Sequence, residues 1–447
     1  MPFDADSSSA LDTLLSQARA FGADAADASV SSRESLSVEV RLGDLEGVER
    51  EEARSAGLRA FVGKKQAAAS TSDLSPDGLA RLAERVVAMA RSAPEDKYCG
   101  LLELEYRATS FPDLNVADVA RPSAKELEDL AKRGEAAAMA VPGVTNSSGS
   151  GASWDAGETV FATSDGFRGA RNGTSFSIGV QPLAERDGEK ERDYDYRTER
   201  FYADLAAPEI IGKTAGERAA ARLGSKKVES ARARVIFEPR LAGRIVGPFL
   251  GAINGASVAR GVSFLKDKLG ARVFAEGFEI FEDPLKQKGL ASRAFDGEGG
   301  KVSAQKLVEN GVATTWLLNS ATARQLGMQP TGHATLGHGG PPGIGTSNIR
   351  VKPGTKDMAA LMREAGRGLL ITEMFSPSMN MNNGDWSVGV SGQWFEEGAI
   401  AFPVSEITVA GNLIDIYARL IAGADMELRG GIEAPSLAVD DLAIGGF

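Results

Sequence analysis

The side chains best suited to metal-dependent catalysis are scarce in this sequence. Its 447 residues include two histidines, His333 and His338, and one cysteine, Cys99. A catalytic zinc usually takes three protein ligands, mostly histidine with cysteine or carboxylate, and leaves one position open. The two histidines lie five residues apart in a glycine-rich segment, far from Cys99 in sequence, and no HExxH motif occurs. The sequence therefore predicts that this chain has no catalytic metal site of its own.

Nucleophilic catalysis and phosphate binding also lack a clear motif. There is no Gly-x-Ser-x-Gly elbow, and a Ser-His-Asp triad would have to use His333 or His338. The segment 337–345 is as glycine-rich as a phosphate-binding loop but lacks the Lys-Ser/Thr ending, and Pro341 and Pro342 remove two N–H donors. We therefore expect the two histidines to lie in an ordered loop at a surface or an interface.

The composition is typical of a globular protein with more than one domain. Hydrophobic residues make up 43% of the chain, and 447 residues exceed what one compact core usually holds. The net charge of −11 argues against nucleic-acid binding, because phosphate contacts require concentrated Lys and Arg. No apolar run is long enough to span a membrane. Residues 1–6 lack the basic and apolar regions of a secretory signal, and a lone cysteine forms no internal disulfide, so a cytoplasmic location is predicted.

Helix and strand patterns alternate through the first half of the chain. Helices are predicted at 7–22 and 75–93, where serines can cap the first turns. A capping box at Ser123-x-x-Glu126 begins a helix to about residue 141, and another helix is predicted at 210–223. Alternating polar and apolar residues predict strands at 35–42, 58–63, 146–154, 159–164 and 174–182. The pattern indicates two helix–antiparallel-sheet units in tandem.

From residue 231 the pattern changes to short, glycine-punctuated strands. A strand at 233–237 leads into a mostly apolar helix at 239–253, and two further helices are expected at 355–366 and 411–422. The predicted fold class is α+β, with two N-terminal helix/antiparallel-sheet units followed by a mainly β C-terminal domain. The predicted domains are 1–95 (N-terminal, α+β), 96–228 (central, α+β, with a linker) and 229–447 (C-terminal, mainly β).

The C-terminal third carries the most specific signature. Gly-Leu-Leu-Ile-Thr-Glu at 368–373 precedes a polar loop at 380–387, and the segment 389–398 follows. These segments, together with 247–257 and the run Pro-Val-Ser-Glu-Ile-Thr-Val-Ala-Gly-Asn-Leu at 403–413, closely resemble the TldD/PmbA family, also called modulators of DNA gyrase. The resemblance is to the PmbA or TldE branch and covers nearly the whole chain.

The resemblance implies a cytoplasmic metalloprotease that cleaves unfolded or extended peptides. TldD-type chains of this family carry an HExxxH motif on the helix that opens the third domain, and a later cysteine completes the zinc site. Here Gly247-Pro248 and Gly251-Ala252 stand in place of the His-Glu and the closing His, and no cysteine lies at 387–393. The resemblance therefore implies that zinc belongs to a TldD-type partner and that this chain, with no cofactor of its own, is inactive alone.

Three functions remain open from the sequence. The leading hypothesis is a metal-free PmbA/TldE-type subunit of a TldD–TldE protease that forms part of a peptide-binding chamber. The second is an independent peptidase with an unrecognised site at the His333/His338 loop. The third is a self-associating binding or adaptor protein, so that a homodimer forms when the chain is alone. Contacts with peptide or with a partner are predicted for His333, His338, Asn382, Asn383, Asp385 and Trp386.

Overall fold

The fold is α+β, as predicted. The computed structural model describes residues 5–427 and 429–447. Residues 1–4, which contribute to the prediction of a cytoplasmic location, lie outside this range. Within it, no helix is both long and apolar enough to cross a membrane.

The first half of the chain forms one antiparallel sheet with helices on it. The helices are Ala5–Ala20 (α1), Pro76–Ser92 (α2), Ala124–Met139 (α3) and Pro208–Ala220 (α4), with 3-10 turns at Leu104–Tyr106 and Tyr202–Asp204. The strands are Ala25–Arg41 (β1), Asp44–Val62 (β2), Lys65–Thr71 (β3), Val144–Thr163 (β4), Arg168–Arg186 (β5), Glu189–Arg192 (β6) and Asp195–Glu199 (β7). They pair in the order β3-β2-β1-β4-β5-β6, and β7 also pairs with β5. The two predicted units therefore share a single sheet, joined where β1 pairs with β4.

Helices α2 and α3 begin where the sequence predicts, whereas α1 begins at Ala5, so Ser7, Ser8 and Ser9 lie inside it rather than capping it. Ser75 caps α2 by accepting a hydrogen bond from the Gly78 N–H, and a proline follows it at the first helical position. At the start of α3, the Ser123 hydroxyl accepts from the Glu126 N–H while the Glu126 carboxylate accepts from the Ser123 N–H. This is the predicted capping box, which satisfies two N–H groups that a helix end otherwise leaves free.

The strands are longer than predicted. The segments 146–154 and 159–164 are parts of one strand, β4, because the residues between them pair on both sides. Ala156, for example, stands opposite Glu34 of β1 and Thr174 of β5. The polar stretch between the two predicted strands interrupts the local apolar alternation but not the backbone hydrogen bonds, so the strand continues.

Helices α1–α4 cover one face of this sheet and leave the other polar. Next to α3, the covered face holds the buried side chains Leu36 and Trp154. Successive residues of a strand point to opposite faces, so Ser37 lies on the other side. There Ser37, Ser153 and Ser177 stand opposite one another on neighbouring strands and are half-buried. The face opposite the helices therefore presents a row of hydroxyl groups at these positions.

The second half of the chain consists mainly of strands. The helices are Pro239–Ala252 (α5), Gly255–Ala259 (α6), Ser320–Leu326 (α7), Met358–Ala365 (α8) and Leu413–Ala418 (α9). The strands are Ala231–Phe237 (β8), Ile280–Asp283 (β9), Gln305–Glu309 (β10), Val312–Ala313 (β11), Ala334–Thr335 (β12), Gly343–Ile344 (β13), Asn348–Val351 (β14), Gly368–Met374 (β15), Ser378–Met379 (β16), Asp385–Glu396 (β17), Ala399–Asn412 (β18), Ile421–Ala422 (β19), Ile432–Glu433 (β20) and Leu437–Gly445 (β21). The helix predicted at 411–422 is shorter than expected because its last two residues pair with β21 instead.

Helix α5 packs on the larger sheet of this half. That sheet has the strand order β15-β8-β21-β18-β17-β16, and its core is the largest hydrophobic cluster among the described residues. Leu241, Ile245 and Phe249 of α5 are buried in it. The buried Tyr417 hydroxyl donates to the Ile245 carbonyl at 3.0 Å. The apolar stripe and this hydrogen bond fix which face of α5 points away from the core.

Buried ion pairs hold the second half of the chain against the N-terminal sheet. Arg240 of α5 contacts Asp193, with Nη1 2.6 Å from Oδ1. Arg59 of β2 pairs with Asp27 and lies 3.8 Å from Glu298. Because these charges are shielded from water, their pairing favours one relative placement of the two halves.

Candidate functional site

Helix α5 exposes a face that has almost no side chains. Gly243, Gly247 and Gly251 recur every four residues opposite the buried stripe and are half-buried. A Cβ atom at Gly247 would meet no other atom within 4 Å, and one at Gly251 would meet only the Met381 Cε, at 3.9 Å. A Cβ atom at Gly243 would touch Ile432 at 3.5 Å, so the open groove lies beside Gly247 and Gly251.

A proline on the same face removes a backbone donor. Pro248 lies inside α5 and has no N–H to give to the carbonyl four residues earlier, at Arg244. The Arg244 guanidinium in turn donates to the carbonyls of Met374 and Phe375 at the end of β15, the latter at 2.9 Å. The face is therefore fixed against β15 by Arg244, although its middle carries no polar side chain.

The residues at the motif positions of α5 do not fit the zinc site that the family resemblance implies, and Ala252 is buried in the core rather than on the open face. Gly247, Pro248 and Ala252, at the positions of the two histidines and the glutamate, have no side-chain donor atom. The segment 387–393 lies in β17 and offers no thiolate. Among the described residues, no group of three or more His, Cys, Asp or Glu side chains is placed to hold a metal ion. We therefore derive no chemical step through a metal in this chain.

Aromatic and apolar side chains border the open face. Phe375 is 50% exposed and follows the strand that Arg244 contacts. Near the start of α5, the rings of Tyr194 and Tyr196 stack with their centres 6.2 Å apart. The Arg240 guanidinium lies 4.5 Å from the centre of the Tyr194 ring. With Met381 near Gly251, this gives the groove an apolar rim along its length. The sequence reasoning missed this rim, although the alternation at 193–197 indicates a strand with both tyrosines on one side.

The polar loop 380–385 lies at the Met381 end of the groove. Asn382, Asn383 and Asp385 are exposed. Asn383 Nδ2 donates to Asp385 Oδ2 at 2.7 Å, and Asn412 Nδ2 donates to Asp385 Oδ1 at 3.0 Å. These hydrogen bonds stabilise the shape of the loop. The contact of these residues with a peptide or a partner stays a prediction.

Trp386 differs from the other residues predicted in this loop. It is buried and packs edge-on against Phe237, with ring centres 6.4 Å apart. The alternation of β17 explains the difference, since neighbouring residues point to opposite faces. Trp386 thus belongs to the hydrophobic core, while Asp385 points outward.

His333 is not at a surface, contrary to the sequence prediction. It is 1% exposed, and its Nε2 lies 2.6 Å from Glu282 Oε2. Its Nδ1 lies 2.7 Å from the Thr331 hydroxyl. The partner Glu282 stands on β9, 51 residues earlier, so no local pattern could reveal the pair. The two histidines are not brought together at one site by any hydrogen bond of the described residues.

His338 is half-buried and lies against the N-terminal sheet. Its Nδ1 is 2.9 Å from the Ser29 hydroxyl, and its Nε2 is 2.8 Å from the Ser55 hydroxyl. Burial lowers the pKa of this imidazole, which favours the neutral ring. Because both ring nitrogens are engaged, His338 links the glycine-rich loop to the sheet.

The Glu282–His333 pair gives a stability prediction. Replacing Glu282 with Gln is expected to lower the free energy of unfolding by about 1.5–3 kcal/mol near neutral pH, the range for hydrogen bonds to charged groups. Burial raises the pKa of Glu282, but the bonds from His333 and Ser347 outweigh it and hold the pKa below its ordinary 4.5. The wild-type advantage should thus be full above pH 4.5 and shrink as the pH falls through the folded-state pKa.

Urea unfolding of both proteins across the acidic range measures this effect. The control is Glu309→Gln, since Glu309 is an exposed partner of Lys306 and should change stability by less than about 1 kcal/mol. A Glu282→Gln difference that does not change with pH would show that the carboxylate charge is not what stabilises the pair.

Three family models match the chain in succession. They are described as PmbA/TldA metallopeptidase domain 1, central domain and C-terminal domain, and they match residues 26–90, 117–223 and 230–446. Together they cover most of the chain.

Relatives and solved structures agree with these matches. The chain is 35% identical to the metalloprotease PmbA of Escherichia coli O157:H7 over 95% of its own length and 92% of that protein. Its fold is similar to that of a candidate modulator of DNA gyrase from Bacteroides thetaiotaomicron, with a TM-score of 0.91 and 24% identity, covering 99% of this chain and 100% of that one. TldE from Thermococcus kodakarensis gives a TM-score of 0.88 at 17% identity, with 98% and 100% covered. At these identities the two structures support the fold alone.

Proposed function

The chain belongs to the PmbA/TldD family of metallopeptidases, and from that premise we propose that it is a metal-free PmbA/TldE-type subunit whose α5 face forms one wall of a peptide-binding chamber. One observation carries this proposal. Where the family resemblance places zinc-binding side chains, this chain has Gly247, Pro248 and Ala252, on a helix with open space beside it. A helix with no metal-binding side chains at these positions and with open space beside it fits a role in binding rather than in chemistry.

The groove suits an extended peptide. Glycines along α5 allow a peptide backbone to come close to the helix, and Tyr194, Phe375 and Met381 offer apolar contacts to its side chains. The row of serines at 37, 153 and 177 adds hydroxyl groups on the face of the sheet opposite the helices. Contacts of this kind depend on backbone shape and general apolarity, so they favour unfolded segments over one particular sequence.

The partner in this proposal is a TldD-type chain. Zinc bound there would activate a water molecule for attack on the peptide bond. This chain would contribute the opposite wall, orient the peptide and exclude bulk water. The location that goes with this role is the cytoplasm.

The decisive experiment compares the chain alone with a mixture. Cleavage of an unfolded reporter peptide is measured for this chain, for a TldD-type chain of the same organism, and for both together, with and without a chelator. Robust cleavage is expected from the mixture only, and the chelator should abolish it. Chelator-sensitive cleavage by this chain alone would contradict the proposal.

The other two hypotheses make different predictions in the same preparation. An independent peptidase at the His333/His338 loop requires stoichiometric metal that a His333→Ala/His338→Ala double variant loses. The burial of His333 and the engagement of both nitrogens of His338 leave these rings poorly placed for that role. A self-associating adaptor would remain a homodimer when the TldD-type chain is added, which light scattering detects.

A further inference from the structure

A polar cavity lies where the linker 111–117, strand β5 and the segment 292–294 meet. Its volume is about 420 Å³, and Arg171 and Arg293 both line it. A cavity of this size fits a small molecule. Neither arginine lies on α5 or in the loop 380–385, so the cavity is separate from the groove described above.

The two arginines have no carboxylate partner among the described residues. Arg171 Nη2 donates to the Phe295 carbonyl, while its Nε is buried without a hydrogen-bond partner and its Nη1 has none among the described residues. Arg293 donates to the carbonyls of Thr346, Gly332 and Gly345 at 3.1–3.2 Å, and its Nε is likewise buried and unpartnered. Carbonyl oxygens satisfy N–H groups but do not neutralise a positive charge.

Some buried arginines of this chain are neutralised by carboxylates, although Arg200 donates only to the carbonyls of Gly289, Thr174 and Leu290. Arg59 pairs with Asp27, and Arg240 pairs with Asp193 and Glu238. At the cavity, by contrast, burial and the charge of Arg293 lower the pKa of Arg171 to about 10. Two half-buried like charges with no carboxylate of the described residues within ion-pair distance are unfavourable, and an anion placed beside them would relieve the cost.

The acidic residues close to the cavity are already engaged. Asp113 lines it, but the exposed carboxylate accepts the Asn115 N–H through Oδ1 at 2.9 Å. Asp296, which favours the charged form of both arginines, is buried and accepts the N–H groups of Glu298 and Gly300 through Oδ1. Glu282, which also favours the charged form of Arg293, lies 2.6 Å from His333 Nε2 and accepts the Ser347 N–H. None of these carboxylates forms an ion pair with the two guanidinium groups.

We propose that this cavity binds a small molecule through a phosphate or carboxylate group held by Arg171 and Arg293. The Arg171 Nη1 group can donate to either oxyanion, and the positive charge of Arg293 attracts it. The side-chain amides of Asn115 and Asn172 also line the cavity and can donate to the same group. Phe111, stacked edge-on against Phe295 with ring centres 5.4 Å apart, provides an apolar wall for the rest of the molecule.

The test is a titration of the full chain with sodium phosphate and, separately, sodium acetate, at constant ionic strength kept with sodium chloride. The midpoint of thermal unfolding should rise saturably with at least one of the two anions, because a ligand of the folded state stabilises it by mass action. A stronger response to phosphate assigns the site to phosphate groups, and a stronger response to acetate assigns it to carboxylates. No saturable response in the wild-type chain would overturn the proposal.

Three variants locate the response. Arg171→Gln removes one guanidinium and should weaken binding of the anion at least about tenfold. Asn172→Asp adds a carboxylate at an exposed position of the cavity and should weaken it similarly without disturbing the core, so it serves as the test if Arg171→Gln unfolds. Arg168→Gln is the control, since Arg168 lies on the same strand but contacts Asp12 and Ser8 outside the cavity. Equal anion affinity in the wild-type chain and the three variants would show that the arginines only join the two halves of the chain.

Discussion

Replacing Arg240 with alanine is expected to lower the free energy of unfolding by about 3–5 kcal/mol, the usual effect of removing one partner from a buried ion pair. The Arg240 side chain is 1% exposed. Its Nη1 lies 2.6 Å from Asp193, its Nε 2.5 Å from Glu238, and its Nη2 donates to the Thr372 carbonyl at 2.7 Å. Alanine would leave the carboxylates of Asp193 and Glu238 buried with less positive charge beside them. This accounts for the larger part of the expected loss of stability. Urea unfolding followed by circular dichroism measures it.

An exposed arginine of the same type provides the control. Arg232 pairs with Asp441, but both side chains are more than half exposed, so Arg232→Ala should cost less than about 1 kcal/mol. A second variant, Arg240→Ala with Asp193→Asn, should recover part of the loss because it removes one of the stranded charges. If Arg240→Ala and Arg232→Ala lowered the free energy of unfolding by similar amounts, the buried ion pairs of Arg240 would not be what stabilises the fold.

The position of Arg240 explains why these ion pairs matter for the groove. It is the second residue of α5, and its guanidinium also lies over the Tyr194 ring. The same side chain thus joins the helix with the open face, β15 through Thr372, and the aromatic rim from the central sheet. Loss of Arg240 should therefore loosen the groove as well as the fold.

Local signals in the sequence predicted α2 and α3 well, but they did not reveal the short helices α6 and α7. Ser75 and Ser123 begin helices because their hydroxyls satisfy free N–H groups a few residues away, and such short-range chemistry is visible in the residues themselves. The apolar stripe of α5 is visible for the same reason. The α+β class followed from these elements and the alternating strands.

The sequence did not reveal which distant residues contact one another. Nothing near Ser37 indicates that it faces Ser153, so the sharing of one sheet by the two N-terminal units could not be inferred. The burial of His333 depends on Glu282, and the engagement of His338 depends on Ser29 and Ser55, all distant in sequence. A histidine in a glycine-rich loop suggests exposure only while its partners are unknown.

The resemblance placed a missing metal motif at residues 247–252, but the surroundings of these residues could not be read from the sequence. Gly247 and Gly251 border open space, whereas Phe249, Leu250 and Ala252 are buried in the core. Glycine in a helix interior usually costs stability, and here three glycines align on one side. That arrangement is informative only once the buried side of α5 is known.

A phenylalanine at position 247 is expected to lower kcat/KM of the complex with a TldD-type chain on the order of a hundredfold, the scale for displacing a bound substrate by about 1 Å. The new ring would enter the groove, because a Cβ at Gly247 meets no atom within 4 Å. The side chain improves helix propensity over glycine by up to about 1 kcal/mol, but its Cβ is crowded by the ring of Pro248, which follows it in the helix. The two effects on the free energy of unfolding oppose each other. Peptide cleavage and urea unfolding of the same preparation separate the change in activity from the change in stability.

The matched control is Gly47→Phe. Gly47 on β2 also has open space beside it and no positive φ, but it belongs to the N-terminal hairpin and not to the groove. Its complex should keep the wild-type rate. If Gly247→Phe retains full activity while folded and associated, the α5 face does not contact peptide. If it instead loses the partner in size-exclusion chromatography, the bare face is a subunit contact, and the peptide must be held by the serine-lined face of the sheet or by the partner itself.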